Sequence, residues 1–224
     1  MNQTKLRLMG ISGILGGILL FIGDMLFYFD RSSTDLLQNM AHASDSRIMV
    51  SGFFALLATW LYLIGIVPVY MAFQSSKKII RNTVTICFIG IVTIYGVVHA
   101  AYVAIATSAK IAVENNLDIQ KTVLLASQTN DLLRVLGFPL FGVLSILFIN
   151  QVWQRKTRYP RWMVFFFPLL LYIINTIFST FYTGTLSVIG TLIVDGGFLN
   201  LILIIFFTAS TISLWNVKVK TNAN

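Results

Sequence analysis

Cysteine, histidine and acidic residues are all scarce in this chain. It has one cysteine, Cys87, so no intrachain disulfide can form. Cys87 falls inside an apolar run and reads as a small buried side chain. The only histidines are His42 and His99. They give no pair at helical i,i+4 spacing, no HExxH and no Cys/His zinc pattern, and no GxSxG marks a serine nucleophile. Nothing in the sequence calls for a metal or another cofactor. Charged residues make up 11% of the chain, where a soluble domain carries about 25%. That excludes a soluble globular protein. The net charge is +8, but no basic stretch is long enough for a nucleic-acid arm, so no nucleic-acid partner is expected.

What remains is apolar. Hydrophobic residues make up 57% of 224, and the mean hydropathy is +0.82. The fold class that follows is all-α: an integral membrane bundle in a single domain spanning 1–224, with the lipid bilayer as its first partner. Six apolar runs are long enough to span, over about 8–29, 47–73, 83–107, 131–153, 162–183 and 197–216. Lys5 and Arg7 before the first run resemble the start of a signal peptide, and Ala41-His42-Ala43 mimics a cleavage site. The run is too long for a signal peptide and the site lies too far beyond it, so a retained first helix is expected.

Charge placement orients the six spans. One side receives Lys5, Arg7, Lys77, Lys78, Arg81, Arg155, Lys156, Arg158, Arg161, Lys218 and Lys220, which is eleven basic residues and no acid. The other side, with the adjoining helix ends, receives the remaining five basic residues and all eight acids. The positive-inside rule then predicts cytoplasmic N- and C-termini. Trp153, Trp162 and Trp215 fall at the cytoplasmic interface, where aromatic anchors belong. The inner loops read as plain basic anchors.

On the outer side, Ser44 or Asp45 is placed to cap the second span, and Asp118 to cap a partly helical surface segment within 108–130. Asp131 and Arg134 have the spacing of an i,i+3 ion pair, and Pro139 is expected to kink the fourth span. Thr185 to Val194 reads as a surface turn. The competing reading starts the sixth helix near Leu186 and makes Asp195-Gly196-Gly197 a break within it. The two halves share no repeat, which weighs against an inverted-repeat transporter.

Three spans carry polar stripes at helical spacing. In the first, Gly13, Gly17, Asp24 and Tyr28 share a face. Glycines allow close helix approach, within one chain or between two copies in a homodimer. In the third span Tyr95, His99 and Tyr102 line up, and in the fifth Tyr172, Asn175, Ser179 and Tyr182. A carboxylate in a spanning helix is costly, which marks Asp24 as functional. Asp24, Tyr28, Tyr95, His99, Tyr102, Asn175, Ser179 and Arg134 are the candidate ligand-binding residues, gathered in an outward-facing polar pocket. No catalytic residue is assigned.

Two resemblances bear on this. The multi-pass layout resembles membrane hydrolases of the alkaline ceramidase type, but their three-histidine zinc site has no counterpart here beyond His99, so their activity does not carry over. The glycine-rich first span, with Gly16-Gly17 and Gly23-Asp24, is similar to that of small bacterial multi-pass proteins of unassigned function. That likeness implies a bacterial inner-membrane protein and no particular activity. The expected role is binding or transport of a small amphiphile or cation. The alternatives are a ligand-free accessory scaffold and an intramembrane lipid hydrolase.

Overall fold

In the first two long helices, hydropathy and capping chemistry mark nearly the same boundaries. The computed structural model describes residues 2–181 and 187–216, with the side chains of Ser179, Val188, Ile189 and Asp195 excepted. Helix α1 runs Gln3–Tyr28 and starts where the Asn2 side chain accepts from the Lys5 N–H at 2.9 Å. Helix α2, Leu36–Ala41, is capped by Asp35, which accepts from the Leu37 and Gln38 N–H groups. Helix α3, Asp45–Ala72, is capped by Ser44 rather than Asp45. Asp45 is left to pair with Lys110.

Helix α4, Lys78–Glu114, passes the expected end at 107 by two turns. Ala106, Ala109 and Ala112 are fully buried there, where α4 packs on α2 and on α5, Ile119–Val135. Asp118 caps α5 by accepting from the Lys121 N–H at 3.1 Å. A single turn residue, Leu136, separates α5 from α6, Gly137–Trp153. The break lies one helical turn before Pro139. Proline has no N–H to offer the carbonyl four residues back, which is that of Val135. The expected fourth span is therefore the second half of a helical run, Ile119–Trp153, that begins a dozen residues earlier.

A 3-10 turn, Arg161–Phe166, leads into α7, Pro168–Phe181, with Pro168 in the first position, where its missing N–H costs nothing. Helix α8, Val188–Leu192, a π turn over Ile193–Gly197, and α9, Phe198–Leu214, follow without interruption. The surface turn expected at 185–194 is thus corrected from Val188 onward. The chain is helical there, and Asp195-Gly196-Gly197 is a widened turn inside the helix. The glycines explain it. A Cβ on Gly196 would stand 2.7 Å from the Tyr28 ring, and one on Gly197 2.6 Å from the Phe21 ring. Thr185, Leu186 and Tyr182 lie outside the described residues, as do Lys218 and Lys220.

The described residues are all helix, turn and loop. Four helical runs are long and apolar enough to cross a membrane: Gln3–Tyr28, Asp45–Ser75, Lys78–Glu114 and Ile119–Trp153. Helices Pro168–Phe178 and Phe198–Leu214 are apolar but shorter. Helix α1 lies between α3 and α9. Its glycines meet those neighbours directly: added Cβ atoms on Gly10, Gly13 and Gly17 would run into Thr211, Phe207 and Ile204 of α9. The close approach expected of the glycine face is made within this chain.

Arg47, in the first turn of α3, closes the far end of α1. Its Nε donates to the Leu26 carbonyl at 2.8 Å and its guanidinium to that of Phe29 at 2.9 Å. These belong to the last turn and C-cap of α1, where carbonyls lack intrahelical donors. Arg47→Leu is expected to lower stability by about 1–2 kcal/mol in a reversible unfolding assay in mixed micelles, the usual range for hydrogen bonds to a charged donor. Arg47→Lys is expected to recover only part of the loss, since an ammonium cannot present the planar fork.

Candidate functional site

Two apolar clusters divide the molecule along its length. The larger contains Leu20, Tyr62, Val92, Leu203, Phe206 and Phe207, and the smaller contains Phe27, Tyr28, Ile105, Ala106 and Leu192. On α1, α4 and α9 the residues between them are Asp24, His99 and Asn200. These three form a polar layer between the two cores. His99 Nδ1 lies 3.0 Å from Asp24 Oδ1, and Asn200 Nδ2 donates to Asp24 Oδ2 at 2.5 Å. Asp24 is 3% exposed and Asn200 is fully buried. One carboxylate thus ties three helices together.

The rest of the layer is aromatic and basic. Tyr95 and Tyr102 flank the His99 ring at centroid distances of 5.6 and 6.2 Å. Tyr102 meets Tyr28 edge-on at 6.0 Å. Arg134 donates to the Tyr102 hydroxyl, and its guanidinium sits 5.4 Å from the centre of that ring. The ion pair expected between Arg134 and Asp131 is therefore replaced by a pairing with Tyr102, one helix away. Ser51 of α3 donates to the Gly23 carbonyl at 2.7 Å, next to Asp24 in sequence.

Six of the eight candidate residues come together here: Asp24, Tyr28, Tyr95, His99, Tyr102 and Arg134. Of the fifth-span stripe, only Tyr172 approaches them among the described residues, within electrostatic range of Tyr95. Helix α7 packs on α9 and on the Arg161–Phe166 turn, and Tyr172 is 46% exposed. Asn175 is half-buried and makes no hydrogen bond among the described residues, and the Ser179 side chain lies outside them. Helical spacing puts these groups on one face, but it cannot say which way the face turns. Asn200, which the sequence places a little further out than Asp24, is not among the candidate ligand-binding residues. It is the only amide in Phe198–Leu214, three residues after Gly197. Counting the helix from Val188, with a π turn before Phe198, brings Asn200 level with Asp24.

Two polar atoms of the layer remain open. If Asp24 is ionised it only accepts, so Nδ1 of His99 carries the proton and Nε2 keeps a free lone pair. Nε2 has no hydrogen-bond partner among the described residues. Asn200 Oδ1 is buried and also has none among them. The layer can therefore accept hydrogen bonds from a donor next to a carboxylate and between aromatic rings. Among the described residues no three His, Cys, Asp or Glu side chains gather to hold a metal ion. The Asp195 side chain lies outside the described residues. Beyond the layer, the Ser32 hydroxyl, at 2.6 Å, and the Ser32 N–H, at 2.7 Å, bind the exposed Asp30 carboxylate and hold its pKa below the usual value.

No curated protein and no solved structure matches this sequence. A family model does, over residues 1–217, and the chain belongs to that family, the family of unknown function DUF6796.

Proposed function

We propose that this chain is a six-span protein of a bacterial inner membrane, with both termini cytoplasmic, that binds a small cationic amphiphile in the layer around Asp24. The span count rests on length. The run Val188–Leu214 covers 27 residues, or about 40 Å of helix, while α7 alone covers about 21 Å and is entered through the apolar segment 162–167. The first exceeds a hydrocarbon core of about 30 Å, and the second needs the apolar segment before it to span one. The orientation rests on the separation of eleven basic residues from all the acids. Along the helices, Asp24 and His99 lie about 28–32 Å from Lys5 and Lys78. That depth is the outer boundary of the core, where an amphiphile carries its headgroup.

One observation supports a cation above other ligands. Asp24 is a buried carboxylate, and beside it Asn200 Oδ1 is an open acceptor, as is His99 Nε2 when Asp24 is ionised and Nδ1 carries the proton. A primary ammonium would donate to both, face a negative charge, and lie against the rings of Tyr95 and Tyr102, whose faces attract cations. Decylammonium is a suitable probe for the purified protein in maltoside micelles. It is expected to raise the unfolding temperature of the parent in a saturable way. Asp24→Asn is expected to weaken that response at least tenfold, while decyl maltoside leaves both proteins unmoved. Equal responses from parent and variant would refute the reading.

A second reading is favoured by the same geometry. Asp24 already has a partner on each oxygen, as a ligand-free clamp between α1, α4 and α9 would. Under that reading Asp24→Asn lowers stability but shifts it equally with and without decylammonium.

A further inference from the structure

The two loops at the end of the bundle opposite the Asp24 layer are fastened to each other. Ser76 Oγ donates to the Lys156 carbonyl at 2.8 Å. The Arg158 N–H donates to the Ala72 carbonyl at 2.8 Å, and its guanidinium to Gln74 Oε1 at 2.9 Å. Arg155 takes a left-handed backbone, φ 57°, that turns the chain out of α6 toward this junction. The result collects Lys77, Lys78, Arg155 and Lys156, all exposed, around one pair of hydrogen-bonded loops. None of these four side chains has a hydrogen-bond or ion-pair partner among the described residues.

Lysines at the other end are treated differently. Lys110 is paired with Asp45, and Lys121 stands 3.9 Å from Asp118. No such neutralisation is available near Ser76, because residues 48–109 and 132–194 contain no aspartate or glutamate. Four unneutralised cations held together by these hydrogen bonds repel one another, and an anion from outside the chain relieves that repulsion. The surroundings say what kind. Arg81 lies over the Tyr70 ring at 4.7 Å and Arg161 over that of Trp153 at 5.5 Å, an arrangement of headgroup depth. Ile79, 73% exposed, and Ile86, 65% exposed, continue along α4 from Lys78 and offer apolar surface to an acyl chain.

We propose that the joined loops 72–78 and 154–158 bind the phosphodiester headgroup of an anionic phospholipid, with Lys77, Lys78 and Lys156 as the principal charges. The Ser76–Lys156 hydrogen bond positions them. The inference stands on loop geometry and is independent of the ligand at Asp24.

The test uses the full chain, delipidated in maltoside micelles, with dioleoyl phosphatidylglycerol as probe. Binding is followed by native mass spectrometry and by the shift in unfolding temperature. Phosphatidylglycerol is expected to bind saturably, and phosphatidylcholine to bind far more weakly. A basic residue at an anionic surface is worth about fivefold, so the triple variant Lys77→Gln, Lys78→Gln, Lys156→Gln is expected to lose about a hundredfold in affinity. All three side chains are exposed, so the variant should fold. Ser76→Ala keeps every charge and is expected to lose severalfold by loosening the loops, and Lys121→Gln at the other end is expected to lose nothing. Equal binding of phosphatidylcholine would overturn the proposal, as would undiminished affinity in the triple variant. Inorganic phosphate giving the same stabilisation at the same concentration would overturn a lipid as the occupant.

Discussion

Gly65→Ala is expected to lower the stability of the bundle by about 2 kcal/mol or more, although alanine is the better helix former. Gly65 of α3 faces Gly13 of α1. A Cβ at Gly65 would come within 2.6 Å of the Gly13 Cα and 2.9 Å of its nitrogen, with the Phe207 ring 3.1 Å away. Two of those three atoms are backbone. No rotamer change relieves them, so α1 and α3 must separate, and α1 is also pressed from the other side by α9. Overpacking costs about 1–3 kcal/mol where side chains can shift, and the upper end or beyond applies where they cannot. Against it stands about 1 kcal/mol of helix propensity. The steric term wins. At Gly13 the three atoms nearest an added Cβ all belong to the Phe207 side chain, from 2.5 Å, and a side chain can shift where backbone cannot, so Gly13→Ala is expected to cost less. At Gly142 nothing lies within 4 Å, and Gly142→Ala should be neutral or stabilising by up to about 1 kcal/mol. The order of the three variants in a mixed-micelle unfolding titration tests the packing. Gly65→Ala as stable as the parent would mean that α1 and α3 do not meet backbone to backbone.

Those glycines also show what the sequence could and could not convey. Periodicity picked out Gly13, Gly17 and Asp24 as one face of α1, and that face is indeed where α9 packs. Asp24 and His99 fall at similar depth in the outer halves of their spans, and they are hydrogen-bonded. Two things were hidden. The first was the extent of helices that leave the apolar run. Hydropathy falls at Ser108 and Lys110, yet α4 continues because Ala106, Ala109 and Ala112 are covered by α2 and α5. The second was the direction in which a polar stripe turns. In water a helix buries its apolar face, and the stripe tells inside from outside. Where lipid and core are equally apolar, only neighbours decide. Helix α7 has few, so its Tyr172 stays 46% exposed although it comes within electrostatic range of Tyr95. Asn200 needed both kinds of information: a helix starting at Val188 and a π turn that shifts its register onto Asp24.

The second large effect belongs to Asp24, and its sign depends on how many partners change with it. Asp24→Val removes the acceptor shared by His99 Nδ1 and Asn200 Nδ2, leaving two donors in an apolar layer. An orphaned buried polar group costs about 1–3 kcal/mol, while interhelical hydrogen bonds in a membrane bundle average only about 0.6 kcal/mol. The layer lies between two apolar clusters, with Asn200 fully buried, so the orphaning cost governs here. The expected loss is about 2–4 kcal/mol. The triple variant Asp24→Val, His99→Leu, Asn200→Val removes every member at similar volume and leaves no donor behind. Replacing a whole buried charged cluster by apolar side chains is often neutral or stabilising, so the triple variant is expected to be more stable than the single one and to approach the parent. The two measurements separate what the layer does for folding from what it does for binding. A triple variant that regains stability yet gives no decylammonium response would mean that the carboxylate is kept for its ligand, because the fold stands without it. A triple variant less stable than Asp24→Val alone would mean that the clamp is a net contributor to stability, and the ligand-free reading would then account for Asp24.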